Sequence, residues 1–200
     1  MTNTPRALQK LIEQFDRLPG IGPKTSEKLV YYLLNRPKED LKEFADSLLR
    51  AKDEITVCPN CYNFSDRSPC GICSDRSRLK DMICVVAETA DLQAIEKTTD
   101  YNGVYHVLQG NINPPEGITP DKLRIKELTD RISRDKPKEV ILALNNDIAG
   151  ETTTLYLSKL LKNQNLKITR LAKGLPSGSE IEYADDITLG YAIRDRKEIK

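Results

Sequence analysis

The sequence predicts an α/β protein built from four modules in chain order, and three observations lead to this fold class. Apolar residues recur at helical spacing over the first 55 residues, with a short glycine and proline interruption. Four cysteines then form two Cys-x2-Cys pairs. From residue 81, apolar strand-like runs alternate with helical patterns, which is typical of a parallel sheet covered on both faces. We expect modules over residues 1–55, 56–80, 81–172 and 173–200.

The first module is predicted to contain three helices. The first helix ends before Pro19, the second runs from about Lys24 to Asn35, and the third covers Glu39 to Asp53. Arg36-Pro37 separates the last two, because the residue before a proline avoids helical geometry.

The connection between the first two helices reads Leu-Pro-Gly-Ile-Gly-Pro-Lys and ends at Lys24. Gly20 and Gly22 allow a tight turn and close approach of a ligand, and the following helix start presents free N–H groups. Lys24 and Lys28 share one helix face. This pattern predicts a helix-hairpin-helix that binds the DNA phosphate backbone without reading bases. An ordinary turn between packed helices is the alternative, whereas a phosphate-binding loop is excluded because Pro23 interrupts the motif and no strand precedes it.

The four cysteines have the spacing of a zinc site. Cys58 and Cys61 are followed after eight residues by Cys70 and Cys73. Four thiolates complete a tetrahedral shell with no open position, so the predicted zinc is structural. The loop between the pairs has little apolar content, so metal binding would supply its folding free energy. Two disulfides in a secreted protein are the less favoured alternative.

Two further residues with reactive side chains receive structural interpretations. Cys84 lies in an apolar run that predicts a strand, where a cysteine is a small buried hydrophobe. His106, the single histidine, has neither a cysteine nucleophile nor a second histidine nearby. We expect it to belong to a polar network at the end of a strand.

The third module is predicted to alternate strands and helices, and a Gly/Pro/Ser loop over 174–179 and a short polar helix follow it. Strands are predicted at 83–87, 104–108, 139–144 and 167–171, and helices at 91–98, 123–133 and 151–161.

Three carboxylates follow predicted strands of this module. Glu88 follows the first strand, and Asp147 and Glu151 follow the third. The carboxyl ends of parallel strands meet at one edge of a sheet, so these side chains are expected to converge. The arrangement resembles the Toprim fold of topoisomerases and primases, in which such carboxylates hold magnesium. Asn145 and Ala149 add no charge, which argues against a tight two-metal site. The enzyme alternative is a magnesium-dependent nuclease or primase-like protein, and helix capping is the structural alternative for Asp147 and Glu151.

Composition limits the classes of protein that remain. The chain is 38% hydrophobic and 30% charged with a net charge of +1, so it is not a polycation. Residues 1–36 carry six basic and three acidic side chains, a local charge of +3. No apolar run is long enough to span a membrane, and the first ten residues show no secretory signal. The expected location is therefore the cytoplasm, without membrane association.

The ordered set of motifs resembles the bacterial recombination mediators of the RecR family over nearly the whole chain. The resemblance rests on the Leu-Pro-Gly-Ile-Gly-Pro-Lys hairpin, the four cysteines, the Toprim-like module and a Gly-Leu-Pro tail. Similar stretches also occur at 105–108, 123–128 and 182–185.

This resemblance implies a protein without catalytic activity that assembles into dimers and tetrameric rings around single-stranded or duplex DNA. It implies cooperation with RecO and RecF to load RecA onto single-stranded DNA. Lys24 and Lys28 would contact DNA, and Glu88, Asp147 and Glu151 would contact RecO. Asn146 and Ala149 depart from the family's usual Pro and Glu, which affects that contact. A zinc-stabilised adaptor that binds only protein is a third interpretation, which the hairpin disfavours.

Overall fold

The computed structural model describes residues 4–198 and contains two compact units. The first is helical and ends at Ile55, and the second begins at Thr56. Among the described residues, no helix combines the length and the apolarity needed to cross a lipid bilayer.

The first unit contains the three predicted helices. They are α1 (Arg6–Asp16), α2 (Pro23–Leu34) and α3 (Lys38–Glu54). Gly20 lies in the turn between α1 and α2 with a φ of +79°, a conformation that glycine adopts without steric cost. The buried Ser26 hydroxyl of α2 donates a 2.5 Å hydrogen bond to the Asp16 carboxylate at the end of α1. The two helices of the hairpin are therefore tied by a polar contact as well as by packing.

The second unit begins with the cysteine module. Strand β1 (Thr56–Val57) pairs antiparallel with β2 (Phe64–Ser65), and the short helix α4 (Gly71–Ser74) follows. The sequence did not predict these elements, because two-residue strands and a single helical turn leave no periodic pattern. They form around the cysteines rather than around an apolar stripe.

The remainder of this unit has the predicted alternation of strands and helices. The four strands are parallel in the order β4-β3-β5-β6. The C-terminal segment has a 3₁₀ turn at Ile181–Tyr183 and then the predicted short helix. The elements are β3 (Leu79–Val86), α5 (Thr89–Glu96), β4 (Gly103–Val107), α6 (Ile125–Asp135), β5 (Glu139–Ala143), α7 (Ile148–Leu161), β6 (Lys167–Arg170) and α8 (Asp186–Arg194).

Two apolar clusters cover the two faces of the sheet, as the sequence predicted. Ile83 and Val85 of β3 pack in one cluster with Leu128 of α6 and Leu157 of α7. Successive strand residues point to opposite faces, so Val86 lies in the other cluster, which α5 covers. The cysteine module contributes partly buried apolar residues to this second face.

The two edges of the sheet differ in the contacts that they make. At the β4 edge, the backbone N–H of Val107 donates a 2.8 Å hydrogen bond to the carbonyl of Cys61, which joins the cysteine module to the end of the strand. The β6 edge is only four residues long, and Lys167 and Arg170 there form ion pairs with Glu139 and Glu151.

Several element boundaries differ from the predicted ones for identifiable reasons. Helices α5 and α7 begin two and three residues earlier than predicted, because Glu88 and Asp147 act as their N-caps. Strand β3 begins at Leu79, which pairs with Gly103 across a register shift. Helix α6 begins two residues later than predicted, because Leu123 has an extended backbone.

Candidate functional site

The hairpin presents an open turn and two lysines. Gly22 is the N-cap of α2, and it offers no side chain to bind the free N–H groups of the first turn. Its φ of −97° suits any residue, and a Cβ placed there would meet no atom within 4 Å. Neither the backbone nor packing within this chain therefore requires glycine at this position, whereas close approach of an external ligand would.

Lys24 and Lys28 are both exposed on α2, one turn apart. Among residues 4–198, neither lysine forms an ion pair, so their charges are available to an external anion. The predicted DNA-binding residues Gly20, Gly22, Lys24 and Lys28 thus lie together at the turn and first two turns of α2.

The four predicted zinc ligands converge in the second unit. The Sγ atoms of Cys58, Cys61, Cys70 and Cys73 all lie within 4.8 Å of one another. Tetrahedral zinc with bonds of about 2.3 Å would separate its sulfurs by about 3.8 Å, so the cluster fits the ion. Cys58, Cys61 and Cys70 are buried, and Cys73 is partly exposed. All five cysteines are free thiols, which agrees with the zinc interpretation and not with disulfides.

Burial and mutual contact decide how readily these thiols ionise. Burial opposes ionisation of Cys58, but hydrogen bonds from backbone N–H groups, chiefly that of Cys70 at 3.4 Å, lower its pKa to about 7. The pKa of Cys61 is raised, first by its hydrogen bond with the Cys73 thiol and then by burial. Burial also raises the pKa of Cys70 to about 11. A cation among the sulfurs removes this penalty, because a coordinated thiol is deprotonated outright.

Cys84 has the structural role expected of it, whereas His106 makes one hydrogen bond and not the expected polar network, because its Nδ1 is buried without a partner among the described residues. Cys84 is buried in β3, where burial raises its pKa to about 12. His106 is buried in β4, and its Nε2–H donates a 2.8 Å hydrogen bond to the carbonyl of Arg124. Burial lowers the pKa of His106 to about 4, so the ring is neutral at pH 7.

The three carboxylates at the sheet edge each have a local structural contact. Glu88 forms a capping box with Asp91 at the start of α5. The Asp147 carboxylate accepts a 2.7 Å hydrogen bond from the Gly150 N–H and caps α7. Glu151 accepts hydrogen bonds from Arg170 at 2.6 Å and Lys173 at 2.7 Å.

The three carboxylates that the enzyme alternative would use do not come together in the structure. Within the described part of the chain, the cysteines are the only group of three or more metal-ligating side chains close enough to share an ion. Glu88, Asp147 and Glu151 do not form such a group. Capping was the structural alternative for Asp147 and Glu151. The structure shows it for Asp147, whereas Glu151 forms ion pairs instead.

Sequence reasoning missed the cationic partners of Glu151. Arg170 and Lys173 lie 19 and 22 residues further along the chain, and no local pattern joins positions at such separations. The Lys173 side chain is only 9% exposed, and its ammonium group lies 4.5 Å from the ring centre of Tyr191 in α8. Glu151 therefore compensates a buried charge that also contacts the C-terminal segment.

We expect replacement of Glu151 by glutamine to reduce the acid sensitivity of the fold. Hydrogen bonds from Arg170 and then Lys173 lower the pKa of Glu151 to about 2, against an ordinary value of 4.5. A lowered pKa stabilises the folded state above pH 4.5, and this contribution is lost as the pH falls towards 2. Solvent screening limits it to about 1 kcal/mol.

Urea unfolding at about pH 7 and about pH 3 measures this effect. E151Q should lose less stability than the native chain between these pH values, whereas Glu116→Gln, at an exposed position, should behave like the native chain. An equal loss for E151Q and the native chain would contradict the assignment of Glu151 as a compensating charge.

Comparison with known proteins identifies the modules and the chain. Four family descriptions match it: a RecR helix-hairpin-helix over 8–52, a RecR zinc finger domain with four cysteines over 55–75, a Toprim domain over 81–172 and a RecR C-terminal domain over 174–197. The zinc finger match and the geometry of the thiols agree on a structural zinc ion.

Two relatives align with nearly the complete chain. Recombination protein RecR of Moorella thermoacetica is 50% identical over 196 residues, 98% of both chains. Recombination protein RecR of Gloeobacter violaceus is 52% identical over 194 residues, 97% of this chain and 98% of that protein. Identity at this level over this length shows that the chain belongs to the RecR family.

Proposed function

We propose that this chain is a non-catalytic recombination mediator in DNA repair that holds DNA through its hairpin. The observation that carries the proposal is the open turn at Gly20 and Gly22, followed by the exposed, unpaired Lys24 and Lys28 of the described chain. Backbone N–H groups and lysines bind phosphate without reading bases. Binding would therefore be strongly salt-dependent and weakly sequence-dependent, on single-stranded and duplex DNA alike.

The proposed assembly is a homo-oligomeric ring, a dimer that pairs into a tetramer. Exposed apolar residues in α7 and the C-terminal segment support it, since burying them against a second copy would be favourable. They are Leu155, Leu160, Ile181, Tyr183, Ile187 and Ile193. Several subunits acting together on one DNA need only a few phosphate contacts each.

The proposed partners are RecO and RecF, with which the ring would load RecA onto single-stranded DNA. The proposed RecO contact is the edge that carries Glu88, Asp147 and Glu151. The cations of Arg170 and Lys173 offset the negative charge of Glu151, so Glu88 and Asp147 would carry most of the uncompensated acidic charge there. The helix-hairpin-helix, zinc, Toprim and C-terminal segments would divide at residues 55/56, 80/81 and 172/173.

Replacing Lys24 and Lys28 together with alanine should weaken DNA binding at least tenfold. Each lost phosphate contact should also lower the slope of log affinity against log salt by about 1. Both lysines are exposed, so the fold should remain intact. Fluorescence anisotropy with labelled duplex and single-stranded oligonucleotides over a salt series measures both quantities.

A second exposed lysine pair in the same unit provides the control. Lys38→Ala with Lys42→Ala on α3 removes the same charge at the same spacing but away from the turn. If the two double variants lose affinity equally, only net charge matters and the hairpin is not the DNA site. Sedimentation of the native chain at the same salt concentrations, with and without DNA, measures its assembly state.

A further inference from the structure

Two adjacent exposed tyrosines continue the lysine face of α2. Tyr31 is 50% exposed and Tyr32 is 61% exposed. At about 100° per residue, Lys24, Lys28, Tyr31 and Tyr32 fall within one face of the helix, opposite the buried Ser26 and Val30. The chain therefore presents cations and aromatic rings side by side on one surface.

A further cation lies beside these rings. The Arg36 guanidinium carbon lies 5.9 Å from the centre of the Tyr32 ring. From Gly22 to Arg36 the sequence has three basic residues and one acidic residue, a local charge of +2. Lys24 to Tyr32 covers about 12 Å along the helix, which is long enough to follow more than one nucleotide of a strand. This charge and length suit a strand of nucleic acid.

Contacts to the phosphate backbone of DNA alone do not explain why two aromatic rings are exposed on this face. Phosphate is held by N–H, ammonium and hydroxyl groups, so a tyrosine needs only its hydroxyl for such a contact and the face of its ring stays free. Stacking under unpaired bases is what aromatic rings contribute to proteins that bind single strands, and it works with any base. In a duplex the bases are already stacked on one another, so the rings would have no base to cover.

We propose that Tyr31 and Tyr32 stack against bases of single-stranded DNA whose phosphates are held by Lys24 and Lys28. This inference rests on the proposed function of the hairpin and adds a preference to it. The hairpin lysines bind any strand through its phosphates, whereas the two rings favour a strand with unpaired bases. Arg36, two residues beyond the end of α2, lies beside the Tyr32 ring and also forms a 2.8 Å ion pair with Asp40.

The test compares three labelled probes of equal length on the full zinc-loaded protein: oligothymidine, an abasic oligomer with the same backbone, and a blunt duplex. The native chain should bind oligothymidine more tightly than the abasic oligomer, roughly tenfold for each stacked base. Y31A with Y32A should abolish this preference and leave abasic binding unchanged. Y31F with Y32F keeps both rings and should preserve the preference.

The lysine variant separates failure of this inference from failure of the proposed function. Lys24→Ala with Lys28→Ala should weaken binding of all three probes. If the native chain binds oligothymidine and the abasic oligomer equally, with lysine dependence intact, stacking is wrong and the hairpin assignment stands. If Y31A with Y32A changes the sedimentation of the DNA-free protein but keeps the base preference, the rings belong to a contact between subunits and the inference is overturned.

Discussion

Replacing Cys61 with alanine is expected to cost the protein its zinc ion and most of the structure between Thr56 and Ser74. Three thiols cannot complete the tetrahedral shell, and the short elements β1, β2 and α4 have little apolar packing of their own. Zinc binding contributes about 10–16 kcal/mol in zinc-finger peptides, so this loss should exceed that of most single substitutions.

Loss of zinc should also destabilise the edge of the sheet, because one hydrogen bond links the cysteine module to β4. The Cys61 carbonyl accepts the N–H of Val107 on the edge strand β4. When the module unfolds, that amide should exchange with solvent much faster, while amides of the central strand β3 stay protected. Hydrogen exchange, measured together with zinc content and thermal unfolding, tests both parts of the expectation.

Cys84→Ala provides the matched control. Cys84 is buried in β3 and is not a member of the cluster. Its removal should cost about 1 kcal/mol of core packing and leave one zinc ion per chain. A Cys61→Ala protein that still binds one equivalent of zinc and protects the Val107 amide would refute the coupling.

Gly150→Ala is expected to lower the stability of the second unit more than other small substitutions in its sheet and helices. Replacing glycine by alanine inside a helix usually stabilises a protein by about 0.5–1 kcal/mol. In α7, however, a Cβ on Gly150 would lie 2.1 Å from the backbone carbonyl oxygen of Asn145. Backbone atoms cannot move aside as a side chain can, so overpacking should cost about 2 kcal/mol or more.

The same clash should displace the cap of the helix. Asp147 lies between Asn145 and Gly150, and its carboxylate accepts the Gly150 N–H. Loss of a cap costs about 1 kcal/mol, which brings the expected total to about 3 kcal/mol. Urea unfolding monitored by circular dichroism measures the difference.

Gly190→Ala in α8 is the control for helix propensity. Within residues 4–198, a Cβ there would meet only the end of the Arg194 side chain, at 3.5 Å. This substitution should be neutral or slightly stabilising. Equal effects of Gly150→Ala and Gly190→Ala would show that the turn before α7 yields easily and that its glycine is not required.

The features predicted best from the sequence are those that depend on one local pattern of residues. The spacing of Cys58, Cys61, Cys70 and Cys73 predicted the zinc cluster, since each pair is aimed by its own short turn. Apolar periodicity predicted the three helices of the first unit and all four strands of the parallel sheet. Chain order of the motifs also indicated the family, which the alignments confirm.

Contacts between distant parts of the chain could not be predicted in this way. The pairing of Glu151 with Arg170 and Lys173, and of Val107 with Cys61, depends on tertiary packing at long sequence separation. The three carboxylates at the strand ends do not come close enough to share an ion, because helix caps and an ion pair use them instead. Carboxylates at strand ends can bind a metal ion or form caps and ion pairs, and sequence position alone does not distinguish these roles.

The structure at the two edges of the sheet limits how copies of this chain can associate. The cysteine module is bonded to the end of β4 at Val107, and β6 is short and carries the paired charges of Lys167 and Arg170. Short, charged or covered edges do not accept a strand from another subunit. In the proposed ring, subunits would therefore be joined by side chains and not by a continuous sheet, and separating two of them would break no backbone ladder.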